Sequence, residues 1–247
     1  MKRRWPCVLI TLALAVCAPA SPRKAAPSTQ PTSQQSVVGL GDSVTAATAC
    51  DCAGFLTLYA EQLQSRYNIK TTTHNFGVVG QATAGLLASL RADPNVKSAV
   101  EQADIVVVTI GANDFWYDPA CAKLSCYSSQ LPSLTSNLDA IMSNIHALGP
   151  SATVFVTGYW EIWEDGAVGR ARGAQFMTLV DGLTHQVNAA IRSASARAGA
   201  RFVDLYTPFR GAAGDQDDTA LLAADGDHPS AAGHAVIARA LLDASTF

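Results

Sequence analysis

Beyond Lys24 the sequence contains no run of basic residues, and acidic side chains outnumber basic ones 20 to 17. Nothing here supplies the cationic footprint of a nucleic-acid binder. Histidine is scarce, with five in 247 residues, and most stand far from any partner in a linked motif. The cysteines fall as C-x-C and C-x4-C, spacings that structural zinc sites do not favour. No metal or other cofactor is therefore expected. The G-x-S-x-G nucleophile elbow is absent around Ser43, which disfavours the α/β-hydrolase fold. No internal repeat is present. What remains is ordinary globular composition, 49% hydrophobic and 15% charged, enough for one domain with a sizeable core.

Residues 1–20 join a basic start (Lys2, Arg3, Arg4) to an apolar run too short for a comfortable membrane span and a small-residue Ala18-Pro19-Ala20 site. That pattern predicts an exported, secreted protein cleaved after about Ala20. The alternative is a lipid anchor on Cys17, whose preceding Val16 fits a lipobox poorly. Residues 21–35 are rich in Ser, Pro, Thr and Gln and read as a disordered linker, with the folded domain over 36–247. Export also suits the remaining cysteines, Cys50, Cys52, Cys121 and Cys126, as disulfide candidates. Four cysteines allow three connectivities, and the sequence does not choose among them; local pairing of Cys121 with Cys126 is the preferred one.

The domain alternates strand-like and helix-like segments. Val37–Leu40, Thr71–Val78, Asp104–Ile110, Ala152–Thr157 and Phe202–Leu205 read as strands, and Asp104–Ile110 is a continuous aliphatic run suited to a doubly covered sheet. Phe55–Tyr67, Ala82–Ala92, Val96–Ala103, Leu134–Leu148, Gln175–Ala198 and Ala231–Leu242 carry helical spacing. Connections this long imply parallel strands, hence a three-layer α/β/α sandwich around a parallel sheet of about five strands. Ligands on such sheets bind beyond the carboxyl ends of the strands.

Four polar stretches follow strand ends or close the chain. In 39-GLGDSVTA-46, Ser43 leaves a strand in a turn that can present both its hydroxyl and its N–H. In 75-NFGVVGQAT-83, Gly80 lets backbone approach a ligand. In 110-IGANDF-115, Asn113 carries a neutral amide donor suited to an oxyanion. In 225-DGDHPS-230, His228 precedes proline and is held out of the helical region. Residues three apart in a turn approach within about 7 Å, so Asp225 can meet the His228 ring, whereas Asp227 is adjacent and tends to diverge. Each stretch alone has a plainer meaning as a turn or a helix cap.

Together the four stretches resemble the SGNH hydrolase superfamily, the GDSL-type esterases and lipases, in which Ser, Gly, Asn and His mark four ordered blocks. The matches are Ser43 in GDSV, Gly80 in VVGQ, Asn113 in GAND, and Asp225 with His228 in DGDHP. Val44 stands where the family name has Leu. The resemblance implies a flavodoxin-like α/β/α sandwich that cleaves esters without metal. Ser43 would be the nucleophile, His228 the general base and Asp225 its support. Ser43 N–H, Gly80 N–H and the Asn113 amide would form the oxyanion hole. The partner is then an ester substrate (lipid, short-chain ester or acetylated carbohydrate), met by a monomer.

Phe115, Trp116, Tyr117, Trp160 and Trp163 follow strand ends and are candidate substrate-pocket residues, with coverage of the core as the alternative. Glu161, Glu164 and Asp165 read as solvated loop charge. His146 and His185 are expected at the surface and His234 packed. Two further functions compete with ester hydrolysis: a catalytically silent binding module on the same fold, and a metal-dependent phosphoesterase using Asp42, Asn113, Asp225 and His228.

Overall fold

The computed structural model describes residues 33–246. The export signal, Cys17 and the linker up to residue 32 lie outside them. The strands are β1 (Ser33–Gly41), β2 (Ile69–Gly77), β3 (Ile105–Thr109), β4 (Thr153–Thr157) and β5 (Arg201–Val203). They form one parallel sheet in the order β2-β1-β3-β4-β5. Chain order reverses between β1 and β3, so the crevice beyond their carboxyl ends is the switch point of the sheet. The helices are α1 (Phe55–Tyr67), α2 (Thr83–Ala92), α3 (Pro94–Glu101), α4 (Leu131–Leu148), α5 (Gly166–Ala171), α6 (Ala174–Arg197), α7 (Tyr206–Arg210) and α8 (Ala231–Ala244). On one face α1 packs against α8, and α7 joins them; on the other α2, α3, α4 and α6 form a second layer.

All five residues of β3 are buried, which accounts for its unbroken Ile-Val-Val-Val-Thr sequence. Helix starts are set by local chemistry: Asp93 accepts from Asn95 N and Val96 N ahead of Pro94, and Ser230 Oγ accepts from Gly233 N. Two differences from the sequence reading stand out. β1 begins at Ser33, because Ser33–Gln35 pair in register with Ile69–Thr71; these three polar residues belong to the sheet rather than the linker. The short helices α5 and α7 were not expected, since six and five residues are too few to display a period.

α8 is fastened to α1 by polar as well as apolar contacts. Tyr59 Oη and Ser245 Oγ are 2.7 Å apart, and Phe55 N donates to His234 Nδ1 at 3.2 Å. Four cysteines pair locally, Cys50 with Cys52 and Cys121 with Cys126.

Candidate active site

The turn bearing Ser43 is clamped from both neighbouring strands. Asp42 N donates to Thr109 O at the end of β3, and Asn75 Nδ2, on β2, donates to Thr45 O at 2.7 Å. Gly41 makes the closeness to β3 possible: at φ +141° a Cβ would lie 1.9 Å from Thr109 O. Asp42 is buried beneath the turn, accepting from Val44 N at 3.0 Å and from the Tyr159 hydroxyl in a short hydrogen bond. Burial pushes the Asp42 carboxyl up to about 7, against the pull of those two donors.

The stretch 225–230 builds its own turn. Asp225 Oδ1 accepts the backbone N–H groups of Asp227 and His228 at 3.0 and 3.1 Å, and Oδ2 lies 2.8 Å from His228 Nδ1. Gly226 sits at φ +73°, where a Cβ would meet Val168 at 2.5 Å. The Asp227 carboxylate is 3.9 Å from the ring. Burial raises the Asp225 carboxyl, but the hydrogen bonds from the His228 ring and from the two N–H groups outweigh it and hold the group below its ordinary value. Asp227 moves the other way, pushed up to about 6 by burial.

Ser43, Asn113 and His228 line one small cavity of about 30 Å³, with Asp42, Tyr159, Trp160, Glu161 and Asp227 among its other walls. Ser43 and His228 both line this space, and no hydrogen bond joins their side chains; in substrate-free sites such catalytic contacts are often long. Asn113 lies in a 3-10 turn after β3, and its Nδ2 donates to Gln81 O at 3.2 Å. That bond orients the amide and leaves its second N–H for the cavity. The same two loops are stitched again by Thr83, whose N and Oγ1 donate to Asp114. Gly80, at φ +72°, stands exposed beside Gln81 and is not among the cavity walls.

The five aromatic candidates divide. Trp160 is a cavity wall, buried and stacked on Phe209 at 4.4 Å. Trp116 is 77% exposed. Phe115 is buried in the core. Trp163 Nε1 donates to Phe115 O at 3.0 Å, and Tyr117 packs edge-on against both Trp163 and Phe176 at 5.2 Å. These three hold the loop after Asn113 to the body of the protein.

The acidic loop departs from its expected solvated state. Glu161 and Asp165 are buried, and both pair with Arg210, at 3.2 and 2.5 Å; Glu164 reaches Arg172 at 2.6 Å. A cation set beside buried carboxyl groups is what burial demands. Thr184 also hydrogen-bonds Glu161, yet burial still pushes its carboxyl up to about 8. Asp42, considered above only for a metal-dependent phosphoesterase, and Tyr159 and Glu161, assigned to no site, are thus further cavity residues. The only signal for the last two was their place just past a strand end.

The geometry agrees with comparison to known proteins. The pattern of the GDSL-like lipase/acylhydrolase family matches residues 40–236. No curated protein sequence matches significantly. Among solved structures, the lipase Lip_vut3 from a goat rumen metagenome is similar at a TM-score of 0.67 and 18% identity, covering 85% of this chain and 97% of that one. Axe2, an acetylxylan esterase from Geobacillus stearothermophilus, is similar at 0.62 and 22%, covering 88% and 97%. LAE5, an α/β hydrolase enzyme from the metagenome of Lake Arreo, is similar at 0.59 and 22%, covering 85% and 94%. At these identities the structural likeness is one of fold, and the family match carries the chemistry: the chain belongs to the GDSL-like lipase/acylhydrolase family and is a carboxylic ester hydrolase.

Proposed function

We propose that the protein is an exported serine esterase that removes small acyl groups, acetyl above all, through Ser43, His228 and Asp225. The observation that carries this reading is the 2.8 Å contact of Asp225 with His228 Nδ1, on a ring that shares one cavity with Ser43 and Asn113. Asp225 keeps the imidazole proton on Nδ1, so the Nε2 lone pair takes the Ser43 proton as Oγ attacks the acyl carbon. Negative charge then develops on the former carbonyl oxygen. The Ser43 N–H and the second Asn113 amide proton receive it, and the family resemblance adds Gly80 N–H, on the exposed turn beside Gln81, as a third donor. Collapse breaks the ester bond, and the imidazolium returns its proton to the departing alcohol. Water repeats the cycle on the acyl-serine, releasing the acid and restoring the hydroxyl.

The preference for acetyl comes from volume. The cavity is small, about 30 Å³, and Tyr159, Trp160 and Ile162 at its wall are nearly fully buried core side chains. A long acyl chain finds no room there. The alcohol half must lie outside; Trp116, three residues after Asn113, and Val79, 66% exposed beside Gly80, are exposed apolar side chains close in sequence to the oxyanion donors. An exposed aromatic face of this kind suits a ring-shaped alcohol such as a sugar. Axe2 is an acetylxylan esterase, which is consistent with this substrate class.

The test is hydrolysis of p-nitrophenyl esters from acetate to octanoate, with Ser43→Ala as blank and fluorophosphonate labelling mapped by mass. Labelling at Ser43 with a steep fall beyond butyrate is expected. Labelling elsewhere ends the nucleophile assignment, and a maximum at octanoate ends the acetyl preference. Export is tested by N-terminal sequencing of protein recovered outside the cell, with a start near Ser21 expected.

A further inference from the structure

A second cluster of reactive atoms lies apart from the ester cavity. Cys50 and Cys52 form a disulfide, and a ring nitrogen of His234 lies within 4.8 Å of both sulfurs. His234 is fully buried, its ring stacked near Phe55 with centroids 6.2 Å apart. Nδ1 accepts the Phe55 N–H at 3.2 Å, and Nε2 has no partner among the described residues. A neutral imidazole that accepts at Nδ1 carries its proton on Nε2. Burial keeps the ring neutral by drawing its pKa down to about 4. The cluster therefore contains a fixed, buried N–H donor that lacks an acceptor, a costly state that native structures normally avoid.

The acceptors this cluster offers are sulfurs. A disulfide sulfur is a weak acceptor, whereas a thiolate is a strong one. The arrangement thus matches a cleaved disulfide better than an intact one. It does not match a metal: ligation through Nε2 would strip that nitrogen of its proton and move it to Nδ1, where it would face the Phe55 N–H.

We propose that Cys50, Cys52 and His234 form a thiol–disulfide exchange site, in which the thiolate freed by cleavage moves onto the His234 Nε2–H, a contact the intact disulfide does not make, and small uncharged thiols are the partners. An external thiolate attacks one sulfur, forms a mixed disulfide and expels the other cysteine as thiolate. A second external thiol attacks the mixed disulfide. The external thiols leave oxidised as their own disulfide; the cystine, having gained two electrons, takes up their protons as two cysteine thiols. Both cysteines are part-exposed and open to such attack, and Asp51, exposed between them, disfavours anionic thiols. The site joins two parts of the molecule. Cys50 and Cys52 lie between the Ser43 turn, where Thr48 N donates to Ser43 O at 3.0 Å, and Phe55 at the start of α1. His234 belongs to α8, the helix entered directly after His228.

The experiment treats the intact oxidised protein with 2-mercaptoethanol at pH 7, alkylates at intervals and reads each cysteine by peptide mass. Cys121–Cys126, equally part-exposed, is the reference in the same molecule. Cys50–Cys52 should open about tenfold faster than the reference, because a stabilised thiolate leaves faster. His234→Asn can still accept from Phe55 N–H but its short side chain brings no donor to the sulfurs. It should slow Cys50–Cys52 opening about tenfold and leave the reference rate unchanged. Mercaptoacetate should react more slowly than 2-mercaptoethanol at Cys50–Cys52. Equal opening rates for the two disulfides in the unaltered protein overturn the proposal, as does an unchanged Cys50–Cys52 rate in the variant. A variant that fails to fold is recognised by faster opening of both disulfides, and the comparison within the unaltered protein then decides.

Discussion

Replacing Asp225 by Asn changes one oxygen for an NH2 group in the contact that holds the His228 ring. Asn Oδ1 can go on accepting the N–H groups of Asp227 and His228, which Asp225 Oδ1 holds at 3.0 and 3.1 Å, so the turn survives. The atom facing His228 Nδ1 at 2.8 Å becomes a donor. The ring must then present its lone pair at Nδ1 and its proton at Nε2, and it no longer accepts from Ser43. Loss of the correct tautomer costs about 10⁴ in kcat where it has been measured in a serine triad, close to 5 kcal/mol. Asp227→Asn touches a contact of 3.9 Å and should lower kcat less than about tenfold, since it alters only a distant charge. The assay is p-nitrophenyl acetate hydrolysis, normalised by fluorophosphonate titration of competent sites, with thermal melts showing both variants folded. Equal losses in the two variants, or a larger loss at Asp227, would refute the assignment of Asp225 as the group that orients the imidazole.

Asn113→Ala should lower kcat by roughly 10²–10³, or about 3–4 kcal/mol, with little change in KM, as for removal of one oxyanion donor; a KM effect alone would place Asn113 in substrate binding. Glu161 gives a pH prediction. Its folded carboxyl keeps its proton up to about 8, while the unfolded chain releases it near 4.5. Between those values the folded state binds more protons, so stability falls as pH rises, by up to about 1.4 kcal/mol per unit. Asp42 and Asp218, both pushed up to about 7, add a smaller part of the fall between pH 7 and 8, and His234, lowered to about 4, acts only below 6.5, so Glu161 supplies the larger part of that interval. Urea denaturation at pH 7 and 8 should show a clearly steeper fall in the native protein than in Glu161→Gln; an unchanged slope in the variant would assign it elsewhere. Trp116→Ala should raise KM for acetylated sugars several-fold and leave p-nitrophenyl acetate nearly unaffected; equal effects on both substrates would remove Trp116 from the alcohol site.

Which features could be read from residues alone follows from how far apart the interacting groups lie. β3 announced itself because both of its faces are covered and every position is apolar or buried. The contact of Asp225 with His228 spans three residues and obeys turn geometry, so spacing was enough to single out the nearer carboxylate. Glu161 and Asp165 were misread as solvent charge because their cation, Arg210, comes from α7, 49 and 45 residues later, and no local pattern foretells that meeting. Tyr159 was silent for the same reason: it meets Asp42 across 117 residues. Ser33–Gln35 looked like tether because the polar composition of an edge of pairing is indistinguishable from that of a linker until β2 is laid beside it.

β5 has only three residues and a single neighbour in the sheet, whereas β1 and β3 are flanked on both sides. Ser43 and Asn113 ride on those inner strands, but His228 arrives by way of the segment beyond β5. Structures loosen first where cooperative support is thinnest. On gradual heating, turnover should therefore vanish while the interior of the sheet is still intact, and the working lifetime of the catalyst would be governed by fraying at that margin rather than by global melting.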